Sequence, residues 1–198
     1  MKNILDKINQ EKASILELGC GSKKIYPDAI GIDILPSDQV DLCGDVFEIL
    51  NRIDDKVVEL IVSHHFIEHV DNLSLLLSES ARVLKTGGRF KAIVPHFSNP
   101  YYYSDYTHKN FFGLYTMQYF CSTRFFHRRV PNYNTKLEFE IENIRIIFGA
   151  DRPFYFKYLI GKFLNKIFNM STISKEYYET NLSRLFPCTE LEIILIRI

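Results

Sequence analysis

Three clusters in this sequence have residue types and spacings that can do chemistry. The first is Ile15–Lys24, ILELGCGSKK, in which an apolar run ends at Gly19-Cys20-Gly21. Glycines there let the backbone turn sharply and leave room for a ligand against the main chain. Gly31-Ile32-Asp33 and Gly44-Asp45-Val46 follow, each after a further short apolar run. A carboxylate at Asp33 can accept hydrogen bonds from both hydroxyls of a ribose. One at Asp45 can accept from the amino group of a base. The second cluster, His64-His65-Phe66-Ile67-Glu68-His69, contains the H-x-x-E-H pattern of inverted zinc peptidases. On a helix, His65 and His69 would lie one turn apart and could share a metal. The plainer reading has Glu68 and His69 bonding nearby backbone to fix a loop. The third cluster is Asp105-Tyr106-Thr107-His108-Lys109, set among aromatics. His108 is the first candidate for a general base, with Asp105 to orient it or to bind substrate, and His96 and His65 are alternates.

The elements that must position these clusters follow from hydrophobic patterning. Ser14–Leu18, Ala29–Leu35, Val40–Cys43, Val57–Ser63 and Arg89–Val94 read as short strands, several stopped by Gly or Pro. Runs of this length suit parallel strands covered on both faces. Leu73–Lys85 has apolar residues at helical spacing, with Asp71 or Asn72 to cap it and Gly87 to end it. Strand, helix, strand in this order predicts a doubly wound, mostly parallel α/β sheet. From His96 to about Asn134 the chain is polar and aromatic, which predicts a long active-site loop with one short helix near Thr116–Ser122. Leu137–Phe148 reads as a strand and Phe154–Asn169 as a helix with Lys157, Lys162 and Lys166 toward water. Glu190–Ile198 is the final, antiparallel strand.

Composition narrows the function classes. The 198 residues suit a single domain, with a cofactor half at 1–95 and a half at 96–198 that holds the substrate loop, a capping helix and the last strands. Lys plus Arg equals Asp plus Glu at 24 each, which gives no general case for nucleic acid or an anionic membrane. No stretch reaches the roughly 18 apolar residues of a membrane span, and the N-terminal MKNILDKINQEK does not read as a signal peptide. Cys20, Cys43, Cys121 and Cys188 are too far apart for a zinc pair or a CxxC site, which predicts free thiols in a reducing cytoplasm. Tyr101, Tyr102, Tyr103, Tyr106, Phe111 and Phe112 can form a stacking wall for a sugar ring or an aromatic acceptor. Arg124, Arg128 and Arg129 with His127 can grip a phosphate or carboxylate, though such a run is commonly a solvated face.

Taken together, ELGCGS, GIDI, GD, SHHFIEHV and ARVLKTGGRF stand in the order seen in class I S-adenosylmethionine-dependent methyltransferases, which this chain resembles from Ile15 to about Lys109. The wording is closest to small bacterial methyltransferases associated with surface-polysaccharide or other small-molecule pathways, in which a block similar to Asp105–Lys109 follows the fifth strand. The resemblance implies a Rossmann-like fold and S-adenosylmethionine as cofactor. By position, Glu17, Gly19, Cys20 and Gly21 would hold the methionine part, and Asp33 with Ile34 the ribose. Asp45 and Val46 would frame the adenine, and Ser63 and His64 would line the site. His65, His96, Tyr103, Lys109 and Arg128 are then the candidate substrate residues. The acceptor is expected to be a small molecule or saccharide, methylated on oxygen. N-methylation, an inactive cofactor-binding module and a zinc hydrolase are the weaker alternatives. No bound metal is implied, and a homodimer is an expected assembly. The sequence departs from the pattern where the usual third glycine is Lys23. Only nine residues separate Gly21 from Gly31, so the first crossover helix must be short or absent.

Overall fold

Short apolar runs become a seven-stranded sheet in the computed structural model, which describes residues 2–11, 14–131, 133, 138–149 and 155–198. The elements run α1 (Lys2–Glu11), β1 (Ser14–Leu18), β2 (Ile30–Asp33), β3 (Leu42–Cys43), α2 (Val46–Leu50), β4 (Val58–His64), α3 (Leu73–Val83), β5 (Leu84–Pro95), β6 (Phe139–Ile147), α4 (Tyr155–Phe168), α5 (Thr172–Tyr177) and β7 (Glu190–Arg197). The strand order is β3-β2-β1-β4-β5-β7-β6. Strands β1 to β5 are parallel, and β7 is antiparallel to both its neighbours. The order reverses between β1 and β4, and the carboxyl ends of strands at such a point form a crevice where α/β sheets bind ligands. The fold is the Rossmann-like one expected, with strands from both halves of the chain in one sheet.

Covering differs across the sheet. In β4, Ile61, Val62 and Ser63 are all buried, as a strand covered on both faces requires. In β5 and β7 burial alternates: Phe90, Ala92 and Val94 with Leu191, Ile193 and Leu195 face the core. Arg89, Lys91, Glu192 and Ile194 lie on the wetter face. Helix α3 packs on the core face through Leu73, Leu76, Leu77, Ala81 and Val83. Buried Arg197 of β7 donates from Nε to the carbonyl of Ala81 at 2.8 Å, satisfying an end of that helix.

Several boundaries differ from the reading of the sequence. Helix α3 stops at Val83, because Leu84 already has extended geometry (φ −71°, ψ 139°) and begins β5; Gly87 lies inside the strand. No helix joins β1 to β2, as the nine-residue spacing required. The long loop after β5 carries two short 3-10 turns, Pro100–Ser104 and Thr116–Phe120, rather than one helix. Leu137 and Phe154, the expected starts of a strand and a helix, lie outside the described residues, as does the side chain of Lys157. Lys162 and Lys166 are exposed as expected. Helix α4 also does something its periodicity did not announce. Asn169 and Asn165 pair their side-chain amides with the backbone of the edge strand and its extension, at Ile146 and Phe148, through four bonds of 2.8–3.2 Å.

Candidate cofactor and acceptor site

The glycine turn stands at the carboxyl end of β1. Gly19 N and Cys20 N both reach the carbonyl of Ile32, at 2.8 and 3.3 Å, which folds the turn against β2. Gly19 has φ +69°, and a Cβ there would lie 2.5 Å from the Phe66 side chain, so only glycine fits. Gly21 has φ +57°, and a Cβ there would meet nothing within 4 Å, so the space beside the turn is open. Gly21 N donates to Asp33 Oδ2 at 2.8 Å and Leu35 N to Asp33 Oδ1 at 2.9 Å. Each oxygen keeps a further lone pair. The Asp33 carboxylate is thus fixed beside the open space with accepting capacity to spare, which fits a ribose diol.

The missing crossover helix is replaced by a clasped loop over residues 19–29. Glu17, 3 % exposed, accepts from Ile25 N at 2.9 Å and Tyr26 N at 3.0 Å. Lys24 donates to the carbonyl of Ala29 at 2.8 Å and pairs with Asp41, whose Oδ2 also accepts from Gly31 N at 2.7 Å. Sequence reading gave Glu17 to the ligand and gave Lys24 and Asp41 no role; a lysine in a glycine-rich turn carries no signal of a clasp. Cys20 is placed in the turn, but its side chain packs inward, where burial and then the nearby Asp33 push the thiol up to about 11. Ile34 is 68 % exposed. Asp45 caps α2, its Oδ1 accepting from Phe47 N and Glu48 N, while Val46 turns into the core.

Glu17, Ser63 and His64 share one cleft with Ile25, Tyr26 and Lys91; Asp33 lies one strand over and outside its lining. Ser63 Oγ is buried there with no hydrogen-bond partner among the described residues. An orphaned hydroxyl costs about 1–3 kcal/mol, so its exposure to a ligand group would recover stability. Burial, and then the charge of His65, lower the pKa of His64. His65 sits at φ +51°, between Glu190 Oε1 at 3.0 Å and Glu68 Oε1 at 3.2 Å. Hydrogen bonds to these two carboxylates, Glu190 first, push it up to about 9. The segment 65–70 is a turn and not a helix, so His65 and His69 do not form the one-turn pair of a zinc peptidase.

The loops after β4 and β5 are stitched together. Lys109 N and Asn110 N donate to the carbonyl of Glu68 at 2.7 and 3.0 Å, and the Asn110 amide donates to Ile67 O and Val70 O. This brings His69 and His108 side by side, with ring centroids 4.8 Å apart and the planes tilted by 56°. His108 Nδ1 bonds the carbonyl of Tyr102 at 2.9 Å, and its Nε2 lies 3.7 Å from Asp105 Oδ2. The Tyr102 ring lies 4.6 Å from His108 and 5.1 Å from Phe111. Tyr103 and Phe111 are exposed beside them, so an aromatic wall leads up to His108. Tyr102 itself is buried and Tyr106 is 96 % exposed, so neither joins that wall as a free face.

Other candidates fall elsewhere. Lys109 pairs with Asp71 at 2.6 Å at the rim of this loop cluster. His96 is fully buried, its ring bonded to Ser98 at 2.7 Å and Glu179 at 3.1 Å, and it leaves the substrate set because both nitrogens are engaged in the core. Arg128 lies over the Tyr115 ring at 5.1 Å, and its backbone N–H and that of His127 are held by Glu176. That basic segment is a separate structure built on α5.

Residues 16–92 match the family model described as a methyltransferase domain. No curated protein matches the chain in sequence. Among solved structures, the chain is similar to a SAM-dependent methyltransferase from Archaeoglobus fulgidus, with TM-score 0.55, 18 % identity and coverage of 98 % of this chain and 90 % of that one. It is likewise similar to an S-adenosylmethionine-dependent methyltransferase from Mesorhizobium loti (TM-score 0.52, 12 % identity, coverage 99 % and 96 %). A third is a geranyl diphosphate C-methyltransferase from Streptomyces coelicolor A3(2) (TM-score 0.53, 15 % identity, coverage 99 % and 76 %). The strand order is that of a Rossmann-like α/β fold, and the glycine turn tied to Asp33 lies within residues 16–92, the part that matches the methyltransferase domain model and supports S-adenosylmethionine as cofactor.

Proposed function

We propose that this protein methylates an oxygen of a small-molecule or saccharide acceptor. The observation that carries the reading is the Asp33 carboxylate fixed by Gly21 N beside open space, with the loops that bear His108 on the same edge of the sheet. Bound S-adenosylmethionine supplies an electrophilic methyl carbon. Gly19, Gly21 and Asp33 would hold its nucleoside and methionine ends, with Ser63 and His64 at the fourth strand. His108 Nδ1 faces a carbonyl, which only accepts, so that nitrogen carries the proton and Nε2 holds a free lone pair. That lone pair can take the proton of an acceptor hydroxyl as the oxygen attacks. Tyr103 and Phe111 would stack on the acceptor and exclude water. Exposed Leu159 and Phe163 on α4 support assembly as a homodimer. Four free cysteines, three of them buried, support a reducing compartment such as the cytoplasm.

Calorimetry with S-adenosylhomocysteine tests the cofactor half of this reading. Wild type is expected to bind one equivalent, and Asp33→Ala to bind about tenfold or more weakly, for a loss of about 1.4 kcal/mol or more. Equal affinity would remove Asp33 from the site. Turnover of a hydroxylated acceptor tests the rest. His108→Ala is expected to lower kcat about 100-fold or more while sparing cofactor affinity; undiminished turnover would remove it as the base.

A further inference from the structure

We propose that Glu68, His69 and His108 form a binding site for a divalent transition-metal ion, which while bound occupies the His108 Nε2 lone pair and so withholds it from the proton transfer of the proposed function. The inference follows from where protons must sit. The Thr107 hydroxyl donates to Asp105 Oδ1 at 2.5 Å, and its single proton is thereby committed. The same Asp105 Oδ1 accepts from Thr107 N at 2.9 Å, which marks it as the acceptor of both bonds. The contact of Thr107 Oγ1 with His69 Nδ1 at 2.9 Å therefore runs from the imidazole to the hydroxyl. His69 carries its proton on Nδ1, and its Nε2 is a bare lone pair. The Tyr102 carbonyl forces the same tautomer on His108. Each imidazole thus has its outer nitrogen oriented by a hydrogen bond, the arrangement that positions histidine for metal ligation.

The third participant is Glu68, fully buried. His65 Nδ1 contacts its Oε1 at 3.2 Å, and its Oε2 has no hydrogen-bond partner among the described residues. Ligating atoms of Glu68, His69 and His108 lie within 4.8 Å of one another. His69 Nε2 stands 4.0 Å from Glu68 Oε1, and the Oε2 of the same carboxylate is left free to take a cation. Two imidazoles and one carboxylate are the ligand set that suits zinc and its first-row neighbours, and three protein ligands leave a coordination position open. With bonds of about 2.1 Å, a tetrahedral ion sets its ligands about 3.4 Å apart, so binding draws these side chains in by about an ångström. His65, the other histidine of the H-x-x-E-H pattern, is not a ligand: its two ring nitrogens are taken by Glu68 and Glu190.

The test is titration of chelator-stripped, full-length protein with Zn²⁺ by calorimetry, and with Co²⁺ by visible absorption. Wild type is expected to take up one equivalent and to give a tetrahedral Co²⁺ spectrum. His69→Gln, His108→Gln and Glu68→Gln are each expected to weaken uptake about tenfold or more, while His64→Gln, in the neighbouring His64–His65–Glu190 group, leaves it unchanged. Thermal melts report whether each variant is folded; should Glu68→Gln not fold, the two histidine variants decide. No saturable uptake, uptake indifferent to His69→Gln and His108→Gln, or uptake lost in His64→Gln would each overturn the site. S-adenosylhomocysteine binding measured on the same samples keeps this outcome distinct from that of the methyltransferase reading.

Discussion

At the scale of single residues, the short clasp around the glycine turn shows what spacing reveals and what it hides. Gly19, Gly21 and Asp33 could be read from the sequence, because a turn glycine and an acid after the next strand are local patterns. Lys24 and Asp41 could not, because their meeting depends on how a nine-residue connection closes. Side-chain exposure of Lys24 is 11 %, and its amine serves both Ala29 O and Asp41. Lys24→Ala should leave that carbonyl and carboxylate short of a donor and cost about 1–3 kcal/mol. The check is a denaturant melt, together with weaker S-adenosylhomocysteine binding as the loop loosens; an unchanged midpoint would deny the clasp. Glu68 teaches a related lesson. The sequence suggested that it fixes a loop through backbone contacts, and its carbonyl does so, but its carboxylate is left facing two histidines.

Among elements, strands were more legible than the segments that close the sheet. Continuous apolar runs set β1, β2, β4 and β5 within a few residues, since burial on a parallel sheet needs them. Short α2 and α5 have too few turns to show a period and were missed. Helix α4 was found by its spacing, but the job of Asn165 and Asn169 was not, because an asparagine on a helix face does not name its partner. These amides complete backbone groups of the edge strand, much as another strand would. Asn165→Ala and Asn169→Ala should each cost about 1–3 kcal/mol by stranding a partly buried N–H and carbonyl. Hydrogen exchange at Ile146 and Phe148 should quicken in the variants; protection equal to wild type would refute the pairing.

For the whole molecule, thiol chemistry reports on packing everywhere at once. Cys20, Cys121 and Cys188 are buried and Cys43 is exposed. Burial, chiefly, lifts Cys20 to about 11 and Cys121 and Cys188 to about 12, above the ordinary 9.0. Because the folded values are raised, the stability linked to these thiols is present below about pH 9 and is lost as pH climbs toward 11–12. Native protein at pH 8 should therefore yield one fast-reacting thiol to an aromatic disulfide reagent, and all four under denaturant. More than one fast thiol in the native state would contradict this packing.

The amide seal along β6 also dictates how copies of the chain can meet. The outer rim of the sheet is taken at Ile146 and Phe148 on that side, and on the other it ends in the two-residue β3. At Ile146 and Phe148 a second molecule finds no free backbone groups with which to extend the sheet. That stretch of edge is thereby denied to crowded molecules as a template for fibrous growth.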